Sequence, residues 1–530
     1  MRQSNIKIYR ILFWLIVVST ILRGVLASVI EFGNDEVYYW TYALYPDLSH
    51  FDHPPMVGFV IQMFSLDLLF QDEFFIRLGS IVFGSVNIYL IFIIAKKING
   101  SIAGLYAAFL YTSSIYVFVI CGIFILPDTP QNLFWLLGIY FFVSSLPDKQ
   151  LSSKSRKNLL LAGLVCGLGV ISKHTSVFLW LGAVLFIVFY NRKWLKAKQF
   201  YFAIIISLLC LLPVVWWNYH NDFISFTYQG ERVNVSDSGV RFDYFFTELF
   251  GQILYNNPVN FIIIILALIA FFRKKIPTKN YYIEFLLFSA LPLISIFLIF
   301  SLFRSTLPHW TGPAYSSLII IASVFLSNFY SKKNKTKLFP LPIKLSISFL
   351  IIVIALSVGQ INFGLISLDK NTKPQKLGEN DFSLDLYGWE ELGEKFEKIR
   401  NNDLANNIMN SDAAIISYRW FPAANLDYYV ARPLEMRLFA FNKLEKIHKY
   451  AWINKYRGKL EKGMDAYFIT SSRDYFSPFE LYGKYFAAIE AADTINIFRD
   501  NKNVLNYFIF RMKDLKNESI NCMEQISYGN

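Results

Sequence analysis

Residues 11–30, ILFWLIVVSTILRGVLASVI, hold a single cation, Arg23, and no acid in twenty positions. About 20 apolar residues in a row are what an α-helix needs to cross a bilayer. The chain then leaves that segment into residues 34–55, NDEVYYWTYALYPDLSHFDHPP, which carry Asp35, Glu36, five aromatic side chains between 38 and 45, and Asp52-His53 before two prolines. A plain connection between membrane helices needs none of these ionisable groups. The composition of the whole chain supports the first reading. Its 530 residues are 55% hydrophobic and 18% aromatic, and its mean hydropathy is +0.38. That is too apolar for a soluble protein of this length and predicts a polytopic α-helical membrane protein. No small-residue cleavage pattern follows the first segment, so it reads as a retained helix.

Apolar stretches near 9–30, 76–95, 102–121, 130–146, 158–172, 175–191, 199–217, 258–272, 281–303, 311–329 and 343–365 predict about eleven spans. Lysine and arginine set their direction. Twenty-one basic residues fall on alternate connections, from Arg2/Lys7/Arg10 to Lys332/Lys333/Lys335/Lys337, and the intervening ones hold five: Arg77, Lys173, Arg232, Arg241 and Arg304. The positive-inside rule then puts the N-terminus in the cytoplasm. The net charge of +12 is mostly this topology signal and gives no reason to expect nucleic acid. Cysteines 121, 166, 210 and 522 are scattered without disulfide or zinc spacing.

After residue 365 the hydropathy falls. SLDKNTKPQKLGENDF reads as a linker, GWEELGEKFEKI has helical spacing, and AAIISYRW, DAYFITSS and NYFIFRMK read as strands. The expected organisation is a membrane domain over 1–365 and a soluble, extracytoplasmic α/β domain over 366–530.

In this topology His50, His53, His174, His220 and His309 share the basic-poor face with Asp35, Glu36, Asp52, Asp128, Lys173, Asp222, Glu231, Arg232, Arg241 and Arg304. Carboxylates, imidazoles and cations at the ends of helices suit a reaction on an anionic, membrane-bound substrate. Simpler readings exist for each piece. The run from Tyr38 to Tyr45 has the composition of an interfacial aromatic belt. Asp35-Glu36 can start a helix, the DHPP stretch can be a turn, Lys173-His174 a solvated hairpin tip, and Arg23 the partner of Glu31. A transporter or lipid flippase is the rival class, although no inverted repeat is visible.

Taken in order, DEVYYW…FDHPPMVGFVI, LPDTPQNLFWLLGIY, ISKHTSVFLW, PVVWWNYHNDFISFTYQ and LPHWTGPAY resemble bacterial polyprenyl-phosphate-sugar glycosyltransferases. These form the GT-C branch, glycosyltransferase family 39, with protein O-mannosyltransferases and lipid A aminoarabinose transferases. The resemblance implies a lipid-phosphate-linked sugar donor, a lipid, glycan or protein acceptor, and the bacterial cytoplasmic (inner) membrane. It matches Asp35 to the acidic residue of the catalytic centre. Asp52-His53 matches an acidic-basic pair whose second member is lysine in aminoarabinose transferases. On this reading Asp35 is the general base of an inverting transfer, and Lys173, Arg304 and Arg241 clamp the phosphate. Glu36, His53, His174 and His309 are further candidates for substrate contact. Asp52, His53 and His220 are candidate ligands of a divalent metal ion.

The charge asymmetry makes a testable prediction. A reporter fused after Asn530 is expected to be active outside the cytoplasm and one near Lys335 inside; equal sidedness would refute an odd number of spans.

Overall fold

The computed structural model describes residues 2–234, 239–274, 280–332 and 337–516. Cys522 and the basic residues Lys275, Lys279, Lys333 and Lys335 lie outside them. The chain divides into two units, one of Met1–Ser28 with Tyr42–Val353 and one of Val29–Thr41 with Ile354–Asn530.

The first unit is helical. Its elements begin with α1 (Arg2–Val29), the end of α2 (Asn34–Leu44), α3 (Met56–Phe64), α4 (Glu73–Thr112), α5 (Asp128–Ser145), α6 (Ser153–Val170) and α7 (Val177–Tyr190). They continue with α8 (Lys198–His220), α9 (Ile224–Val233), α10 (Phe242–Tyr255), α11 (Pro258–Phe272), α12 (Asn280–Phe300), α13 (Gly312–Lys332) and the start of α14 (Leu341–Phe363). Among the described residues six helices are long and apolar enough to cross a membrane, and the bent pair α10–α11, with 98° between its arms, makes a seventh. The chain is a multi-pass membrane protein. The sequence reading counted eleven spans because it counted apolar runs. Several of those runs fall on shorter or less apolar helices, α5, α6 and α7, and on the second arm of α4.

At 40 residues α4 would be about 60 Å long if continuous, twice the hydrocarbon thickness of roughly 30 Å. It breaks at Asn99-Gly100, where Gly100 takes φ +83°, a conformation open to glycine without a Cβ penalty. Helix α13 is the most enclosed of the spans, 83% buried, and packs against α4, α5, α11 and α12. Polar pins hold helices where apolar contact cannot distinguish protein from lipid. Asn257 donates to the carbonyls of Ser113 and Ser346, and the hydroxyls of Ser113 and Ser346 lie 2.6 Å apart.

The second unit carries a five-stranded sheet of order β2-β1-β3-β5-β4, from β1 (Ala414–Ser417), β2 (Leu438–Ala440), β3 (Ala466–Ser471), β4 (Phe486–Arg499) and β5 (Lys502–Leu515). Strands β1, β2 and β3 are parallel, and β5 runs antiparallel to both β3 and β4. The strands read from sequence are β1, β3 and β5, and GWEELGEKFEKI lies in α15 (Trp389–Ala405). Two strands escaped that reading. Strand β2 has three residues, too few to show a period, and β4 is an edge strand with most side chains exposed.

Residues 29–41 belong to this second unit rather than to the helical one. The Phe32 N–H donates to the Tyr429 hydroxyl at 2.7 Å, and Tyr38 packs on Trp420 with ring centroids 4.9 Å apart. Trp40 meets Tyr428 edge-on, and Lys449 Nζ donates to the Thr41 carbonyl. Tyr38, Tyr39, Trp40 and Tyr42 are all buried. The aromatic run is therefore core here and not an interfacial belt. Glu31, the expected partner of Arg23, instead accepts from the backbone N–H groups of Trp389 and Glu390 at the start of α15, where helix orphan donors favour a carboxylate.

Close helix contact gives a stability test. A Cβ at Gly163 in α6 would stand 2.3 Å from the Ala203 carbonyl oxygen of α8, whereas one at Gly230 meets nothing within 4 Å. Gly163→Ala is expected to destabilise by roughly 1–3 kcal/mol through overpacking, and Gly230→Ala, inside α9 with open space around it, to hold or raise the unfolding midpoint in detergent.

Candidate active site

The site begins with a helical hairpin. Asp128 opens α5, with Pro127 before it and Pro130 in its first turn, and an acid in that position meets the positive end of the helix dipole. Helix α6 packs along α5 and runs back beside it after a short connection. Lys173, three residues beyond the end of α6, is thereby returned to the end where α5 starts. Lys173 Nζ lies 2.7 Å from Asp128 Oδ2, and both side chains are buried, at 8% and 3% exposure. Lys173 is thus no solvated hairpin tip. The Tyr116 hydroxyl donates to Asp128 Oδ1 at 3.3 Å, and the Cys121 thiol to the Asp128 carbonyl.

Other connections reach the same end of the unit. A cavity of about 880 Å³ is lined by His53, Lys173, His174, Gln229, Arg232, Arg241, Arg304, Tyr244, Trp310 and the phenylalanines at 297, 300 and 303, among others. Among the described residues its lining holds four cations and no carboxylate. Trp310, from the turn before α13, is close to two of them. Its ring lies 5.9 Å from Lys173 Nζ and 5.1 Å from the Arg232 guanidinium, within cation–π reach of both. Arg304 donates to the Glu231 carbonyl at 2.9 Å. Arg241 stays exposed and forms a bidentate pair with Asp243.

His53 follows a buried Asp52 that accepts from the Tyr42 hydroxyl at 2.5 Å. Burial, opposed by Asp52 and reinforced by Lys173, Arg232 and His174, pulls the His53 imidazole down to about 4. Part of the residue faces the cavity, so entering water moderates the shift. Near neutral pH His53 is a neutral donor–acceptor and adds no fifth cation.

The structure therefore gathers His53, Lys173, His174, Arg241 and Arg304 around one cavity. It does not bring His220 to them. That side chain is exposed at the end of α8, and its Nδ1 lies 3.0 Å from the Trp216 carbonyl. Among the described residues no group of three or more His, Cys, Asp or Glu side chains is arranged to hold a metal ion. Asp52, His53 and His220 thus do not form the three-ligand set expected from sequence, because Asp52 is engaged by Tyr42 and His220 lies apart. His309 sits within electrostatic reach of Asp128 and Lys173, against Tyr255 with ring centroids 6.0 Å apart, and is not among the cavity's lining residues.

In the second unit, Asp35 is exposed in the first turn of α2. Glu36 is buried, and its Oε2 accepts from the Gly33 N–H at 3.1 Å while the Val37 N–H reaches the Gly33 carbonyl. This is half of a capping box, which corrects the reading of Glu36 as a substrate contact. Sequence reasoning gave no role to Asp128, Arg232, Gln229 or Trp310. The first two were visible as ionisable groups on the basic-poor face, but their pairing depends on which helices are neighbours.

Removing one member of a buried ion pair strands the other. Lys173→Met and Asp128→Leu are each expected to destabilise by about 3–5 kcal/mol, and the double variant by much less. Unfolding of the three variants in detergent checks this; simple additivity would refute the coupling.

Comparison with known proteins agrees with this architecture. The family model for dolichyl-phosphate-mannose-protein mannosyltransferases matches residues 52–217. The lipid A galacturonosyltransferase RgtD of Rhizobium johnstonii is 20% identical over 301 residues, 55% of this chain and 60% of that protein. The chain thus matches about three fifths of the length of that curated relative. The crystal structure of ArnT from Cupriavidus metallidurans bound to undecaprenyl phosphate superposes with a TM-score of 0.59 at 12% identity, covering 96% of this chain and 98% of that one. Its apo form gives 0.58 with the same coverage. The chain has the fold of ArnT, and in sequence it resembles the GT-C polyprenyl-phosphate-sugar glycosyltransferases.

Proposed function

We propose that this chain is an integral membrane glycosyltransferase that moves a sugar from a polyprenyl-phosphate donor to an acceptor hydroxyl, with inversion. The reaction lies on the extracytoplasmic face of a bacterial cytoplasmic membrane, with the C-terminal unit on that side, as the distribution of lysine and arginine suggests. The observation that carries the proposal is the cavity whose described lining has four cations, no carboxylate and aromatic walls. Two of the cations bring their own acids, Lys173 with Asp128 and Arg241 with Asp243. Among the described residues Arg232 and Arg304 are in no ion pair.

That balance fits the chemistry. A lipid-phosphate sugar is a phosphodiester with one negative charge, and the phosphate acquires a second as the bond to the anomeric carbon breaks. Two uncompensated guanidiniums favour the charge that develops over the charge already present, which is the condition for lowering a barrier rather than only binding substrate. The phenylalanine, tyrosine and tryptophan walls suit the isoprenoid chain. ArnT, which shares the fold, was crystallised with undecaprenyl phosphate, in support of that donor class. The acceptor is a hydroxyl of a lipid, glycan or protein, and the name of the Rhizobium relative favours lipid A. Asp35 is the proposed base that takes the acceptor's proton as its oxygen attacks. None of the similar proteins favours a transporter.

Purified protein is expected to carry a lipid-linked sugar identifiable by mass spectrometry. Arg232→Ala and Arg304→Ala should each weaken binding of undecaprenyl phosphate. Asp35→Asn should lower sugar transfer by roughly 10²–10⁴-fold, the usual worth of a positioned general base, and leave that binding intact. Undiminished transfer would reduce Asp35 to a helix-start residue, since asparagine caps about as well as aspartate. Unaltered binding in both arginine variants would refute the donor site.

A further inference from the structure

Arg23 is the one cation of residues 11–30, and it is 0% exposed. Its Nε, Nη1 and Nη2 have no hydrogen-bond partner among the described residues. Burying a guanidinium without an acid is costly, and within a membrane span such a residue marks function more often than packing. What surrounds it is specific. The guanidinium carbon lies 4.7 Å from the centroid of Phe118. A Cβ at Gly84 would stand 2.7 Å from Nη1, and one at Gly122 would stand 2.6 Å from Nε. The group therefore fills a slot that two glycines leave open between α4 and the segment joining α4 to α5. The carbonyl oxygens of Val117 and Phe118 flank the same point at Gly122, each 2.7 Å from it, so the positive charge sits beside backbone negative ends.

That joining segment is irregular. A π-helical turn over Tyr116–Ile120 is followed by Cys121 and Gly122. Tyr116 and Cys121, which flank the residues Arg23 holds, are the two groups that donate to Asp128, and Asp128 in turn holds Lys173 at 2.7 Å. A second buried arginine acts on the far end of the segment. Arg77 Nη1 donates to the Ala27 carbonyl of α1, with its guanidinium 5.7 Å from the Phe124 ring.

We infer that Arg23 is a positioning residue for the donor-phosphate site, fixing the π turn so that Tyr116 and Cys121 orient Asp128 and hence Lys173. It touches no substrate itself. The inference rests on the proposal that the Lys173 cavity binds the lipid phosphate.

A double-mutant cycle tests it with undecaprenyl phosphate as probe. Arg23→Met is close in volume and removes the buried charge, so the unfolding midpoint should hold or rise, as for other buried ions replaced by apolar groups. Binding should nevertheless weaken by roughly 10- to 100-fold, the scale of a displaced site residue. Gly84→Ala keeps the arginine but pushes its Nη1 out of the slot, and should weaken binding similarly. The double variant should bind no worse than Arg23→Met alone, because both changes break one link. Wild-type binding by Arg23→Met while Arg232→Ala binds poorly would overturn the inference, as would losses that add in the double variant. Wild-type binding by Arg23→Met, Arg232→Ala and Arg304→Ala alike would overturn both the inference and the donor site beneath it.

Discussion

The ion pair between Asp128 and Lys173 is the constraint on which the rest of the site depends. Two opposite charges removed from water repay their desolvation only at short range and with their remaining valences satisfied. Here the 2.7 Å contact and the Tyr116 hydroxyl on the other carboxylate oxygen supply those conditions, and the Cys121 thiol holds the Asp128 main-chain carbonyl. The pair also joins two helices at their ends. It fixes where α5 starts relative to the turn after α6, and that turn contributes Lys173, His174 and Thr175 to the cavity. A charge that balances Lys173 before any ligand arrives leaves the surplus on Arg232 and Arg304.

Two kinds of positive charge thus coexist in the helical unit. Lysine and arginine of the basic-rich connections are exposed at, for example, Lys7, Arg10 and Lys193. The few cations of the other connections are drawn among aromatic rings and carbonyls: Lys173 and Arg232 at Trp310, and Arg304 at Glu231. Two of the described arginines are fully buried, Arg23 of the first helix and Arg77, one of those few. They brace an irregular stretch of backbone where helical hydrogen bonding fails, in a setting where water is scarce. Arg23 lies against Gly84, Gly122 and Phe118, and Arg77 against the Ala27 carbonyl and the Phe124 ring.

The second unit shows how a short segment changes partner. Residues 29–41 follow the first span in sequence, yet their side chains complete the aromatic packing of the sheet-bearing unit through Tyr38, Trp40 and Phe32. Glu31 and Glu36 are both spent on helix starts, the first at α15 and the second at α2. Asp35 is the member of the acidic group left exposed. Neighbouring acids of the same charge therefore have different duties, set by which N–H groups lie near them.

Much of this protein could be read from its sequence by itself. Composition and runs of apolar residues gave the membrane class, basic asymmetry gave one face rich in ionisable groups, and the order of motifs gave the resemblance to GT-C enzymes. These signals are local or additive, so they survive without a fold. Pairings are neither. Whether Lys173 meets Asp128 or water depends on α6 returning along α5, 45 residues apart in sequence. Whether Tyr38 meets lipid or Trp420 depends on a contact across more than 380 positions of chain. His220 and His53 were both candidate ligands in sequence, yet His53 lines the cavity and His220 is exposed at the end of α8. The three-residue β2 was too short to show a period, and the edge strand β4 alternates between buried and exposed side chains only in its second half. Residue type and spacing determined which chemistry was available here, and the tertiary structure decided which groups share a dielectric and a distance short enough to use it, because electrostatic and hydrogen-bond energies are set by separation and desolvation rather than by order along the chain.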